Sequence, residues 1–238
     1  MKSNIQAFSI ILFAALHTKT VCKVPDMVLT FSKGNEIVAG STLPNGWSVV
    51  RGKGTVYSFL SAAPDVLNAT SSCGNTMIGI KTTVSLSDYK FITWKWKAVA
   101  LPESAMENDK RKNDSACGIY LLFKNGIFPK AIKYVWSSNL PVGSVVQSAY
   151  NANVKIIVME SGKEKCNQWV TETSNVKNDI VRCFGEKEKF SRILGFGLLT
   201  DADNTRSYAA ACYGTIRMTS DTTAMLAEPD DSTVAAQK

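Results

Sequence analysis

The sequence predicts an all-β protein that folds as a single β-sandwich or jelly roll, and three observations support this. Eight short runs of the 238-residue chain are rich in β-branched and aromatic residues. Residues that favour turns (Gly, Pro, Asn, Asp or Ser) bound each run. Several runs are apolar on both faces, as strands of a sheet covered on both sides must be. Strands of this kind, at regular spacing over residues 28–219, are typical of sandwiches and jelly rolls.

The predicted strands follow one another without an internal repeat. They are Gly54–Ala62, Thr76–Val84, Phe91–Leu101, Cys117–Phe123, Ala131–Ser137, Asn153–Met159, Arg192–Thr200 and Ala211–Met218. The long charged segment Pro102–Ser115 between two of them is predicted to be either mobile or the rim of a binding site.

One segment has a helical period instead. Ser174 is a candidate N-cap, and Gly185 lies just past the predicted end. The apolar residues between them fall on roughly one stripe, namely Val176, Ile180, Val181 and Phe184. We therefore expect one short helix near residues 175–184.

The two ends of the chain have their own signatures. Lys2, the apolar run Ala7–Leu16 and a polar exit describe a secretory signal peptide over residues 1–22, and ten apolar residues are too few to span a bilayer. The expected location is therefore periplasmic or extracellular, with lipid anchoring at Cys22 as an alternative. Residues 220–238 lack an apolar period and are predicted to be a disordered tail.

Composition excludes several classes of function. The formal net charge is +7, but the basic residues form no one-sided stripe, so we expect no nucleic-acid partner. The only histidine is His17, which would leave with the signal peptide. The mature chain would then lack every histidine-dependent nucleophile, base and metal site.

The six cysteines contain no CxxC pair and no zinc-site spacing. In an exported protein some of them are expected to form disulfides. Cys166 and Cys183 flank the predicted helix region, so we predict a disulfide between them. Cys117 and Cys212 lie in apolar strands, where buried free thiols are the simpler interpretation.

The five tryptophans divide by their position in the strand pattern. Trp94, Trp96 and Trp136 share strand faces with apolar neighbours, which predicts core packing. Trp47 and Trp169 lie beside turns. These two are the candidates for exposed aromatic platforms on which a sugar ring could stack, and packing against the turn is the equally good alternative for both.

The segment Thr200–Thr205, "TDADNT", concentrates oxygen-bearing side chains at a strand end. Asp and Asn favour turns because their side chains accept hydrogen bonds from nearby backbone N–H groups. The alternative is a calcium site formed by Asp201, Asp203 and Asn204 with a backbone carbonyl. A basic partner, Arg206 or Lys95, would also compensate the two carboxylates. We interpret the motif as a structural corner first and as a calcium or ligand site second.

Five short motifs occur in an order that resembles a family of exported bacterial proteins catalogued as a domain of unknown function. They are Gly46–Trp47, Thr93–Lys97, Tyr134–Ser137, Phe184–Glu186 and Thr200–Thr205. The resemblance covers about residues 28–218 and implies a sandwich similar to galactose-binding-like jelly rolls, with no established activity. This chain departs from the family at Gly118, where an Arg is usual, and at Arg206, where a Gly is usual.

Three functions remain open at this stage. The first is a non-catalytic glycan-binding or envelope-associated module, whose ligand-binding candidates are Asp114, Asp201, Asp203, Asn204, Trp47 and Trp169. The second is a polysaccharide-acting enzyme that needs only carboxylates, with Asp114, Asp201, Asp203 and Glu160 as candidates. The third is a structural subunit of a surface assembly.

Overall fold

The computed structural model describes residues 24–221, in which two large β-sheets pack face to face. The strands are β1 Met27–Leu29, β2 Lys33–Val38, β3 Ser41–Pro44, β4 Ser48–Arg51, β5 Thr55–Leu60, β6 Ala63–Ser72, β7 Met77–Ser85, β8 Phe91–Ala100, β9 Cys117–Phe123, β10 Lys130–Ser137, β11 Val145–Gln147, β12 Val154–Ser161, β13 Val170–Asn175, β14 Arg192–Leu199 and β15 Tyr208–Thr219, and the helix α1 is Val176–Phe184. The predicted signal peptide 1–22, with His17 and Cys22, lies outside the described residues, as do residues 222–238 of the predicted tail.

The first sheet has the strand order β13-β8-β15-β6-β5, with β1 paired to β15. The second has seven strands in the order β11-β12-β10-β9-β14-β7-β4, and β2 with β3 form a separate ribbon. Strands β10 and β12 run parallel, and the other strand pairs of residues 24–221 are antiparallel. The predicted fold class, an all-β sandwich with one short helix, is confirmed.

The predicted core tryptophans are also confirmed. Trp94, Trp96 and Trp136 are at most 1% exposed, between the two sheets. The ring centroid of Trp94 lies 4.9 Å from that of Tyr134, which joins the two sheets across the core. Along β8 the burial alternates strictly from Phe91 to Ala98, because successive side chains of a strand point to opposite faces.

The outer face of the seven-stranded sheet is also partly apolar. Buried side chains from four neighbouring strands meet there, namely Met77, Tyr120, Ala131 and Leu199, with Leu122 and Val154 packed against them. A sheet with apolar side chains on both faces explains why its strands have continuous apolar sequences. This outer face forms the floor of the site described below.

The N-cap of helix α1 lies one residue later than the predicted cap, Ser174. Asn175 is the N-cap, and its side chain accepts a hydrogen bond from the backbone N–H of Asn178. Val181, which the sequence placed on the apolar stripe, is 39% exposed. The buried face contains Asp179 instead, because its carboxylate accepts a hydrogen bond from the Tyr134 hydroxyl at 2.9 Å.

The charged segment 102–115 is fixed to its surroundings by buried contacts. Ala105 and Glu107 are fully buried. The Asn139 side chain donates a hydrogen bond to the Ala105 carbonyl at 2.7 Å, and the Ser138 hydroxyl donates one to the Pro102 carbonyl at 2.8 Å. The end of the segment reaches the cavity described below, where Asn113 is part of the lining, as the rim prediction expects.

The predicted Cys166–Cys183 disulfide is not formed in this structure. Both residues are free thiols, as are Cys73, Cys117 and Cys212. Cys183 is buried on α1, and Cys166 lies in the turn after β12, where its Sγ faces the Gly162 carbonyl at 3.9 Å. Within residues 24–221 we find no helix that is long and apolar enough to cross a bilayer.

Candidate functional site

A cavity of about 580 Å³ opens on the outer face of the seven-stranded sheet. Its lining comes from β4, β7, β9, β10 and β12 and from the loops at their ends, namely Val50, Arg51, Asn75, Met77, Asn113, Tyr120, Leu122, Pro129, Lys130, Ala131, Ser148, Tyr150, Asn151, Val154, Asp201, Asp203 and Asn204. The sequence candidates Asp201, Asp203 and Asn204 therefore share one site.

The floor of this cavity is apolar and the wall on one side is polar. Met77, Tyr120, Leu122 and Ala131 form the floor, in the second apolar cluster of the protein. The ammonium group of Lys133 lies 5.6 Å from the centroid of the Tyr120 ring. The polar wall contains carboxylates, which accept hydrogen bonds from hydroxyl groups, and amides, which both donate and accept them.

Three carboxylates meet beside the cavity, and two of them, Asp201 and Asp203, line its polar wall while Asp114 lies buried behind it. Asp114, Asp201 and Asp203 each place one oxygen within 4.8 Å of the other two. An isolated antiparallel bridge between Ser115 and Asp201 brings the end of the charged segment alongside the residues that follow β14. Tertiary pairing therefore joins Asp114 to a motif that lies far away in the sequence.

Asp114 caps the "TDADNT" turn. Its Oδ1 accepts a hydrogen bond from the backbone N–H of Asn204 at 3.2 Å. Its Oδ2 accepts from both the backbone N–H and the hydroxyl of Thr205, at 2.7 and 2.6 Å. The turn presents its N–H donors to a carboxylate from another loop, so the motif is a structural corner.

Asp201 is buried at 4% exposure, next to the fully buried Asp114. Its Oδ1 accepts hydrogen bonds from the Ser115 backbone N–H at 2.9 Å and the Ser115 hydroxyl at 3.2 Å. The ammonium group of Lys133 lies 3.8 Å from the same oxygen. Burial raises the pKa of Asp201 to about 6, although Lys133 opposes this shift.

Lys133 provides the positive charge for this cluster, rather than Arg206 or Lys95. It is 2% exposed, and its ammonium group donates a hydrogen bond to the Ser115 hydroxyl at 2.7 Å. Burial alone would lower the pKa of Lys133, but the neighbouring Asp201 carboxylate makes the net shift upward. Burial raises the pKa of Asp203 as well, and its Oδ2 accepts a hydrogen bond from the Asn75 side chain at 2.8 Å.

Gly118 and Arg206 are the two positions at which the sequence is expected to depart from its family. A Cβ at Gly118 would lie 2.7 Å from Cε of Lys133, so the lysine stem occupies the space that a larger residue at Gly118 would need. Arg206 has a φ of +51°, in the left-handed region that glycine adopts without strain. In this chain the cation beside Asp201 comes from the neighbouring strand β10.

Tyr150 is the functional candidate that the sequence did not indicate. It lies at the cavity rim and is 55% exposed. Its hydroxyl accepts a hydrogen bond from the Asn204 side chain at 2.8 Å and donates one to the Lys110 carbonyl at 2.7 Å. The only sequence signal was its place in the turn-rich segment "SAYNAN", which also occurs in ordinary loops.

The structure separates the other candidates from this cavity. Trp47 is 3% exposed and packs against Phe31, with ring centroids 5.5 Å apart, so its predicted role as an exposed platform is wrong. Trp169 is 37% exposed beside β13 in the other sheet, with the ammonium groups of Lys95 and Lys97 at 5.7 and 5.3 Å from its ring centroid. Glu160 pairs with Lys165 and does not line the cavity.

This arrangement has two chemical capacities. The carboxylate and amide oxygens can accept hydrogen bonds from ligand hydroxyls while an apolar ring face rests on the floor. The three carboxylates can also hold a divalent cation, since Ca²⁺ prefers oxygen ligands. The cluster already contains the Lys133 ammonium group, which partly neutralises it without a metal.

Comparison with known proteins places this chain in a family. A family model described as "Protein of unknown function (DUF3047)" matches residues 45–217. The chain belongs to the DUF3047 family. The matched DUF3047 region includes the whole cavity lining. No curated protein matches the chain.

Several solved structures share a distant overall likeness with this DUF3047 protein. The low affinity xylan-binding module CBM86 from Roseburia intestinalis is 11% identical, with a TM-score of 0.37 over 84% of this chain and 99% of that one. The family 11 carbohydrate-binding module from Clostridium thermocellum is 9% identical, with a TM-score of 0.38 over 81% and 95%. The xyloglucanase domain of NopAA from Sinorhizobium fredii is 10% identical, with a TM-score of 0.41 over 76% and 94%. These values are too low to transfer any activity to this chain.

Proposed function

We propose that this protein is exported and binds a glycan, without cleaving it, in the cavity on the outer face of the seven-stranded sheet. The observation that carries this proposal is the pairing of an apolar floor containing Tyr120 with a wall of carboxylate and amide groups. A sugar ring has the matching chemistry, because its C–H face is apolar and its edge carries hydroxyl groups.

The dimensions and exposure of the site support this proposal. A volume of about 580 Å³ lies within the range of about 300–1,000 Å³ that is usual for small-ligand pockets. The exposed ring of Tyr150 at the rim offers an additional aromatic surface. Asp203 can also accept hydrogen bonds from a ligand. Its Oδ2 already accepts one from the Asn75 side chain, and its Oδ1 has no side-chain donor among the described residues.

The test is a glycan array with the purified full chain, followed by calorimetry on the best ligand. Tyr150→Ala should weaken binding about tenfold or more, because it removes the rim surface and the Asn204 contact. Tyr208→Ala is the matched control, since Tyr208 is 49% exposed but does not line the cavity. An equal effect of both substitutions, or no glycan bound by the wild type, would contradict the proposal.

A second candidate, hydrolysis of polysaccharide by carboxylates, has one observation in its favour. The pKa of Asp201 is raised to about 6, and two further carboxylates lie beside it. Neighbouring carboxyl groups whose pKa values are pushed apart are typical of general acid and base pairs. Release of reducing sugar that Asp201→Asn abolishes, with glycan binding retained, would favour this alternative over pure binding.

Export has its own test. Mass spectrometry of the protein isolated from its native cell should show a start near residues 21–24, as expected from Lys2 and the apolar run Ala7–Leu16. An intact Met1 in the exported protein would contradict removal of the signal peptide.

A further inference from the structure

The turn between β9 and β10 carries the two most exposed large apolar side chains among those that the structure describes. Ile127 is 90% exposed and Phe128 is 70% exposed. Gly126, with a φ of +54°, lies in the turn that presents them at the tip. Nothing in the described part of the chain packs over these two side chains, so their exposure requires an explanation.

The tip and the segment beside it are rich in cationic residues. Lys124 and Lys130 flank it, and the segment that follows α1 lies beside it, because the Lys124 backbone N–H donates to the Arg192 carbonyl at 3.0 Å. The rings of Phe123 and Phe190 stack at 5.1 Å, which fixes the two segments side by side. These two segments contain the cations Lys124, Lys130, Lys187, Lys189 and Arg192 and the carboxylates Glu186 and Glu188, of which Lys130 and Glu188 pair with each other.

We propose that this end of the sandwich docks on an anionic phospholipid surface, with Ile127 and Phe128 inserted among the acyl chains and the surrounding cations at the headgroups. Apolar side chains that enter the bilayer interface and basic residues that face anionic lipid are the two attractions that hold peripheral proteins on membranes. This inference goes beyond glycan binding and does not depend on it.

The size and shape of the tip favour a membrane over a protein partner. A stable protein interface buries about 800 Å² on each partner, with shape complementarity. Two side chains at a protruding turn supply far less area. A bilayer needs no complementary shape, because its interface adapts to whatever apolar group enters it.

Docking in this way would also orient the cavity. Pro129 and Lys130, next to the tip, line the cavity, so its edge would lie close to the lipid surface. The Lys130 ammonium group is held by Glu188 at 2.5 Å, which fixes the base of the tip relative to the sandwich. A ligand in the cavity would then be bound next to the membrane.

The test measures binding of the purified full chain to vesicles of phosphatidylcholine, with and without an equal part of phosphatidylglycerol. Phe128→Trp places a fluorescent indole at the tip. Its emission should shift to shorter wavelength and be quenched by brominated lipid on the anionic vesicles, and added salt should weaken the effect. Ile127→Ser/Phe128→Ser should lower the bound fraction, with a partition coefficient reduced about tenfold or more.

Leu60→Ser/Val142→Ser is the matched control, since Leu60 is 58% exposed and Val142 is 61% exposed outside the tip. The apolar run near the N-terminus is common to all variants, so it cannot produce a difference between them. An unchanged emission from the Phe128→Trp variant on anionic vesicles would overturn the proposal, as would equal losses in the two double variants. Glycan binding is measured without vesicles and vesicle binding without glycan. A failure of one proposal therefore leaves the result for the other unaffected.

Discussion

The Asp114 carboxylate accepts two hydrogen bonds from Thr205, one from its backbone N–H at 2.7 Å and one from its hydroxyl at 2.6 Å, across 91 positions of sequence. This contact fixes the turn after β14 against the charged segment that precedes β9. It also places Asp201 and Asp203 at the polar wall of the cavity. The site therefore depends on a structural carboxylate that need not touch a ligand.

We predict that Asp114→Ala destabilises the protein by about 2–4 kcal/mol, because three donors lose a charged acceptor in a buried place. Urea unfolding followed by circular dichroism measures this. Asp109→Ala, in the same segment but with a partly exposed carboxylate, should change the free energy of unfolding much less. Equal effects would show that Asp114 has no special role in the corner.

The raised pKa of Asp201 predicts a specific pH dependence. Its folded pKa is about 6, against about 3.9 in an unfolded chain, so the folded state binds the proton more tightly. Protonated Asp201 therefore contributes at most roughly 3 kcal/mol to the free energy of unfolding. This contribution is fully present below about pH 4 and is lost as the pH rises through 6. In urea unfolding at several pH values, Asp201→Asn should remove this part of the wild-type slope. An identical slope in both proteins would contradict the assignment.

A calcium response should depend on Lys133. Its ammonium group lies 3.8 Å from the Asp201 carboxylate, where it competes with a divalent cation for the three carboxylates. We therefore expect millimolar Ca²⁺ to raise the melting temperature of Lys133→Met more than that of the wild type, by mass action on the folded state. Asp203→Asn in the Lys133→Met background should abolish the difference. Equal shifts with and without Lys133 would show that calcium binds elsewhere.

Truncation of Trp47 should destabilise the protein much more than truncation of Trp169, although the sequence predicted the same role for both. Trp47→Ala should cost about 3–5 kcal/mol, because a buried ring is replaced by a cavity. Trp169→Ala removes a ring that is 37% exposed and should cost far less. Thermal unfolding of both variants checks this. Similar losses would contradict the burial of Trp47.

The strand pattern was readable because burial on a sheet follows a local rule. Cys117–Phe123 was predicted to the residue, and Phe91–Leu101 to within one residue of β8. Strand β6, Ala63–Ser72, was missed, since "APDVLNATSS" has a turn-like composition and is a strand only because β5 and β15 pair on its two sides. The Asn175 cap and the exposed Val181 likewise depend on how α1 meets the sheet.

The sequence by itself determined the all-β class, the buried tryptophans of β8 and β10 and the oxygen-rich turn at Thr200–Thr205, because each follows from the order of neighbouring residues. Only the tertiary structure shows which side chains from other segments contact that turn. Asp114, Lys133 and Tyr150 come from three other segments, and strand pairing alone brings them to Asp201 and Asn204. Lys133 and Tyr150 are unremarkable in their own segments, and the sequence named Asp114 without its partner Thr205. Their charges and hydrogen-bonding groups act together only where the folded sheet places them within a few ångströms of one another.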